Sequence, residues 1–217
     1  MPERRSRRSL VGAALTLLLL AGADGDAARD VLEAVERHYE GVTDLQAAFV
    51  QDSLVASLGK EERTRGTVTV LRPGRMRWEY TAPERRVIVM DGKTLRIYSP
   101  EDRQLQIASL TPDAISPTAL QFLLGGARLQ TLFEAKPAHE SRPDALGLEL
   151  TPRSEAGFAS LEIWVDPETY ALRESLVVDL FGNRTRIRFQ ALRENTGVAE
   201  EKFTISVPKD TEVIDLR

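Results

Sequence analysis

Arginines and apolar side chains are interleaved in the stretch Val70 to Tyr80, VLRPGRMRWEY, where Arg72, Arg75 and Arg77 alternate with Met76, Trp78 and Tyr80. Two chemistries use such a pattern. Nucleic-acid binding needs cations for phosphates and aromatic rings for bases. A strand of a barrel that encloses an apolar ligand needs one greasy face and one charged face.

Covalent chemistry finds little support. Gly92-Lys93-Thr94 resembles the end of a phosphate-binding loop, but Val87 stands where the first glycine of that motif belongs, and Asp91-Gly92 reads as a hairpin turn. The chain has two histidines, His38 and His139, neither in an H-E-x-x-H or G-x-S-x-G context, so no catalytic residue, metal ligand or cofactor site is assigned. Binding is the better class of hypothesis.

The N-terminus bears on which ligand. Arg4, Arg5, Arg7 and Arg8 precede the apolar run Leu10 to Ala21, and Ala21-Gly22-Ala23 has the small-x-small form of a cleavage site. The pattern predicts a secretory signal peptide over residues 1–23, and the apolar run falls short of the roughly 20 residues a spanning helix needs. Its removal takes away four arginines and Glu3, moving the formal charge from −4 to −7. An exported, acidic chain is a poor candidate for nucleic acid. There is no cysteine, hence no disulfide and no residue for thioether acylation of the mature N-terminus, so an exported protein released in soluble form is expected, with residues 24–217 as one domain.

The elements that position these residues follow from periodicity. Val31, Leu32, Val35 and Tyr39 share one face of a helix that Gly41 closes. From Leu45 onward the period is two. Val68 and Val70, then Met76, Trp78 and Tyr80, then Val87 and Val89, then Leu95 and Ile97 predict consecutive antiparallel strands. The second half repeats the pattern with Leu146, Leu148 and Leu150, Leu161, Ile163 and Val165, Leu176, Val178 and Leu180, Ile187 and Phe189, and finally Phe203, Ile205 and Val207. Ser116 to Gly126 interrupts it as a short helix with a serine cap, a proline at its first position and glycines at its end. About ten one-faced strands must close into a barrel or be covered, either around a ligand cavity or around a fully packed core.

The order Gly66-x-Val68-x-Val70-x-Arg72-Pro73-Gly74-x-x-Arg77-Trp78-x-Tyr80, then Pro83, Asp91-Gly92-Lys93-Thr94-Leu95 with Tyr98 and Pro100, then Ser116-Pro117 with Leu120, together with Ala48-Phe49-x-Gln51, resembles the LolA-type periplasmic outer-membrane lipoprotein carriers. The resemblance implies a mainly β fold with short helices: an unclosed antiparallel β-barrel of about eleven strands under a helical lid. It implies a monomer whose cavity takes lipoprotein acyl chains from an inner-membrane ABC-type release complex and delivers them to an outer-membrane receptor. Three acyl chains of about fifteen methylenes would lose roughly 36 kcal/mol on entering water, so such cargo needs a carrier. A periplasmic lipid or lipoprotein sensor, or a carrier of another lipid, uses the same half-barrel.

On this basis Phe49, Val68, Val70, Met76, Trp78, Tyr80, Val87, Val89, Leu95 and Ile97 are expected to line the cavity, and Leu120, Leu123 and Leu124 to face it from the lid helix. Trp78 is either lining or ordinary core against the first helix. Counting by twos from Val68 and Val70 turns Arg72 inward, where the free carbonyls at the end of a lid helix would satisfy its donors. The resemblance gives this Arg-Pro position the same latching role; the alternative is an arginine that snorkels into water. Arg96 departs from the family, which often has an aromatic residue there, and narrows the greasy surface, faces solvent, or forms a basic rim that meets an acidic segment of the lipoprotein.

Overall fold

The computed structural model describes residues 21–110, 128–154 and 157–217. The expected signal segment falls largely outside them, and so does the expected lid helix with Leu120, Leu123 and Leu124.

Helix α1 (Ala21–Glu40) leads into β1 (Asp44–Val55), β2 (Lys60–Leu71), β3 (Arg75–Ala82), β4 (Arg86–Asp91), β5 (Thr94–Ser99) and β6 (Gln104–Ser109). After the short α2 (Leu129–Leu132) come β7 (Phe133–Pro137), β8 (Leu146–Pro152), β9 (Phe158–Val165), β10 (Leu172–Asp179) and β11 (Arg184–Glu194). A 3-10 turn (Glu200–Phe203) and β12 (Glu212–Asp215) end the chain.

All twelve strands form one sheet in the order β12-β6-β5-β4-β3-β2-β1-β11-β10-β9-β8-β7. The two edge strands are β12 and β7, so the sheet does not close. Ten of the eleven neighbouring pairs among these strands are antiparallel, as the alternation predicts; the remaining one, β12 with β6, is parallel. The sheet nevertheless wraps one core, because Met76 and Met90 from one half share a cluster of buried side chains with Leu148 and Leu161 from the other.

Helix α1 lies on that inner face. Ala28, Leu32, Val35 and Tyr39 recur at helical spacing and are buried, while Arg37 pairs with Glu33 on the solvent side. The far end of the inner face is joined to α1 by the Glu36 carboxylate, which accepts the Gln130 N–H of α2 at 3.0 Å.

Phe203, Ile205 and Val207 do not form the expected strand. The chain from Val198 to Ile205 instead lies on the outer face, where Val198 and Phe203 pack with Val89, Val87 and Leu71. Arg77 holds it there by donating to the carbonyls of Lys202 (3.2 Å) and Thr204 (3.0 Å). In β10 the alternation is shifted by one: Val177 joins the inner core, and Leu176 and Val178 turn outward, because the run Leu176-Val177-Val178 offers an apolar residue to either face.

Candidate functional site

Residues directly opposite one another in an antiparallel pair point to the same face, so the register reads out the inner surface. One row runs Leu45, Val70, Met76, Met90, Leu95; the next runs Ala47, Val68, Trp78, Ile88, Ile97; a third runs Phe49, Gly66, Tyr80. Of the expected lining, Phe49, Val68, Val70, Met76, Trp78, Tyr80, Leu95 and Ile97 therefore lie on this face. Val87 and Val89 do not. They pair with Tyr98 and Arg96 on the outer face, and Ile88 and Met90 take their inner places. The segment Val87-Ile88-Val89-Met90 is apolar on both sides because both sides are covered, the outer one by Phe203 and Ile205.

The middle of the face is aromatic. Phe49 meets Trp78 edge-on at 4.5 Å between ring centroids and Tyr80 at 5.2 Å; Phe189 of β11 closes the group at 6.5 Å from Trp78. The Trp78 indole N–H points to the Met76 sulfur at 2.9 Å, and the Tyr80 hydroxyl reaches the Gln51 side-chain oxygen at 3.3 Å. Burial pushes the Tyr80 phenol up from its usual value, so it stays neutral. Gly66 makes room for this group. A Cβ there would stand 1.9 Å from the Glu79 carbonyl oxygen and 2.8 Å from the Phe49 ring, so the Phe49 ring occupies the space a side chain at 66 would need.

Arg72 follows the end of β2 and is half-buried. Its guanidinium donates to the main-chain oxygen of Tyr39, in the last turn of α1, and to that of Val42, just past its end, at 3.3 Å. Its own N–H donates to Thr43 at 2.9 Å. Among the described residues the acceptors of Arg72 are thus at the end of α1; the end of the expected lid helix lies outside those residues. The Tyr39 hydroxyl, whose pKa burial pushes up, accepts the Leu172 N–H at 2.9 Å.

Arg96 lies outside the site. It is an outer-face residue that pairs with Asp91 at 2.6 Å. Burial alone would raise the pKa of Asp91, but hydrogen bonds from the backbone and hydroxyl of Thr94, from Lys93 N–H and from Arg96 hold its carboxyl well below the usual carboxylate range. The Asp-Gly-Lys-Thr sequence is therefore a capped hairpin turn. The outer face also carries a groove of about 610 Å³ lined by Ala48, Thr67, Thr69, Arg77, Glu79 and Lys202 among others. Among the described residues, no group of His, Cys, Asp and Glu is arranged to hold a metal ion.

The inner face is thus apolar from β1 to β5, and its buried side chains pack in one cluster with Leu32, Val35 and Tyr39 of α1. The family model of the outer membrane lipoprotein carrier protein LolA matches residues 40–206. An outer-membrane lipoprotein carrier protein of Chromobacterium violaceum is 32% identical over 200 residues, 90% of this chain and 93% of that protein. One from Neisseria meningitidis serogroup B is 28% identical, over 92% of this chain and 94% of its own. Among solved structures, an uncharacterized conserved protein of Thermus thermophilus has the same fold, with a TM-score of 0.56 at 18% identity over 87% of this chain and 99% of the other.

Proposed function

This chain belongs to the LolA family of outer membrane lipoprotein carrier proteins, and from that membership we propose that it carries lipoproteins through the periplasm with their acyl chains held against the inner face of the sheet. The observation that supports this reading most is the continuous apolar face from Leu45 through Val70, Met76 and Met90 to Leu95, joined by the Phe49–Trp78–Tyr80 group and sharing one core with Leu32 and Val35 of α1. Hydrocarbon gains free energy on any such surface roughly in proportion to the area removed from water, so the face needs no specific hydrogen bond to its cargo.

Access requires the covering helices to yield. Arg72 is the latch in this reading. While its donors are on Tyr39 and Val42, α1 is held over the face; an acyl chain entering beneath α1 breaks them, and their re-formation helps to expel the cargo. A ligand shifts such an equilibrium only by its differential affinity for the two states, so loading and release are both set by how well the closed form satisfies itself. The mature protein, residues 24–217 after removal of its leader, acts as a monomeric single domain. It receives lipoproteins from an inner-membrane ABC-type release complex and passes them to an outer-membrane receptor.

Native mass spectrometry of the protein purified from its own periplasm tests the cargo. A bound diacyl or triacyl lipoprotein is expected. A free small lipid in its place would make the protein a carrier of that lipid, and an empty protein that takes up no hydrophobic fluorophore would make the inner face ordinary core.

A further inference from the structure

Two hairpin turns lie side by side at the end of the sheet away from the Arg72 contact, roughly 35 Å along β1 at the usual rise per residue. The Asn183 side-chain oxygen accepts the Ala56 N–H at 3.0 Å, joining the β10–β11 turn to the β1–β2 turn. The Asp179 carboxylate accepts the N–H groups of Phe181 (2.8 Å) and Asn183 (2.9 Å) and the Asn183 amide (2.7 Å), and Gly182 has a φ of 82°. The turn thereby satisfies its own polar groups and gives Leu180 and Phe181 nothing to pack on. Leu180 is 66% exposed, Phe181 85% and, on the neighbouring turn, Leu58 75%.

The turn that carries Leu58 does not sit flush with the sheet, and the β10–β11 turn lies beside it. The last β2 residue paired with β3 is Arg65, so Lys60–Thr64 carries the β1–β2 hairpin past its neighbour on that side. Lys60 and Arg184 flank the tip, both exposed and neither in an ion pair among the described residues. Glu61 and Glu62 follow Lys60, so the local charge is mixed.

We propose that this paired hairpin tip inserts into the interface of a phospholipid bilayer and seats the protein on a membrane surface. Large apolar side chains on a projecting turn, with cations whose stems can reach back to headgroups, fit the boundary between acyl chains and water. The alternative occupant, a protein, is less well served. A specific protein interface covers about 800 Å² on each partner, whereas here the apolar surface is confined to two adjacent turns. Because Glu61 and Glu62 oppose anionic headgroups, insertion of Leu58, Leu180 and Phe181 provides most of the attachment, and high salt changes it little. The inference does not depend on the carrier reading, since the tip is remote from the inner face.

The test is flotation of the full mature chain, without cargo, with vesicles of three parts phosphatidylethanolamine to one part phosphatidylglycerol. A fraction of the protein is expected to float, and the L58S/L180S/F181S variant to partition about tenfold more weakly or worse. Because those residues are exposed in turns, the variant is expected to keep its near-ultraviolet circular dichroism and its uptake of a hydrophobic fluorophore at the inner face. Wild-type protein that stays with the aqueous fraction, or a variant that floats equally well, overturns the proposal. So does a defect of the variant seen only with membranes that contain a protein acceptor, which would assign the tip to protein docking.

Discussion

Tyr39 is tied at both ends of its residue: its main-chain oxygen accepts from the Arg72 guanidinium, and its hydroxyl accepts the Leu172 N–H at 2.9 Å. Arg72 follows β2 and Leu172 opens β10, so the two contacts pin the end of α1 to opposite halves of the open sheet. Either tether lost alone leaves the other in place.

Replacing Arg72 with Leu removes donors from two carbonyls at a helix end, a change worth about 1–3 kcal/mol against the closed form. Each 1.4 kcal/mol is about tenfold in an equilibrium constant, so the open form gains substantially. Arg72→Leu protein is expected to bind a hydrophobic fluorophore as tightly as wild type or more tightly, and to release a loaded lipoprotein to acceptor membranes more slowly. Equal transfer by the two proteins, or failure of the variant to load, would remove the latch role from Arg72.

Trp78 reports on the inner face. It is buried between Phe49 and the Met76 sulfur, and acyl chains entering beneath α1 would change its surroundings. Trp164, the other tryptophan, is on the outer face beneath the Arg142 guanidinium, 4.2 Å from its ring centroid, with its N–H on the Glu140 carbonyl. A Trp164→Phe background isolates the signal at a cost of about 1 kcal/mol for the lost hydrogen bond. In that background the emission is expected to shift saturably on titration with a lipoprotein. Emission indifferent to ligand would return Trp78 to the packed core.

Glu174 holds the outer face of the second half. It is 4% exposed and accepts a two-pronged contact from Arg142, at 2.8 and 2.9 Å, as well as a hydrogen bond from Arg186. Glu174→Gln leaves two cations facing a neutral amide, with the exposed Glu140 as their remaining carboxylate. The arginines retain some access to water, so the expected loss is about 2–3 kcal/mol rather than the full penalty of a buried unpaired charge. Urea denaturation checks the number, and fluorophore uptake is expected to be unchanged, because the pair lies behind the sheet.

Much of this was legible in the sequence where one face of a strand was apolar and the other polar. Met76, Trp78 and Tyr80 alternate with Arg75, Arg77 and Glu79, and the period alone orients them. It fails at Val87-Ile88-Val89-Met90 and at Leu176-Val177-Val178, where both faces are apolar. The first of those faces is decided by Val198 and Phe203, more than a hundred residues away in the chain. Phe203, Ile205 and Val207 alternate like a strand, yet the carbonyls of Lys202 and Thr204 are taken by Arg77, and the segment lies across the sheet instead of joining it. Arg72 could be read as a donor to a helix end from its type and place; the carbonyls of Tyr39 and Val42 come within its reach only through the fold, and the end of the expected lid helix lies outside the described residues.

The same outer segment supplies a pH test. Asp44, 3% exposed at the start of β1, accepts the Thr196 N–H and hydroxyl, each at 2.8 Å, and the Gly197 N–H at 3.0 Å, and so fixes the point where the chain leaves β11 to cover Val87 and Val89. Burial alone would raise its pKa, but these hydrogen bonds outweigh it and hold the carboxyl below its ordinary value. A carboxyl more acidic in the folded state than in the unfolded chain contributes its full stability above the unfolded value of about 3.9, and loses that contribution as pH falls through the lower folded value. Asp44→Asn keeps the size but turns an amide N–H₂ toward donors, with an expected loss of about 1–3 kcal/mol at neutral pH. Protonation of Asp44 in the wild type makes the same kind of change, so the gap between the two proteins in urea denaturation is expected to narrow as pH falls below about 4. A gap that stays constant over that range would mean that Asp44 acts through the shape of its turn, with its charge contributing nothing.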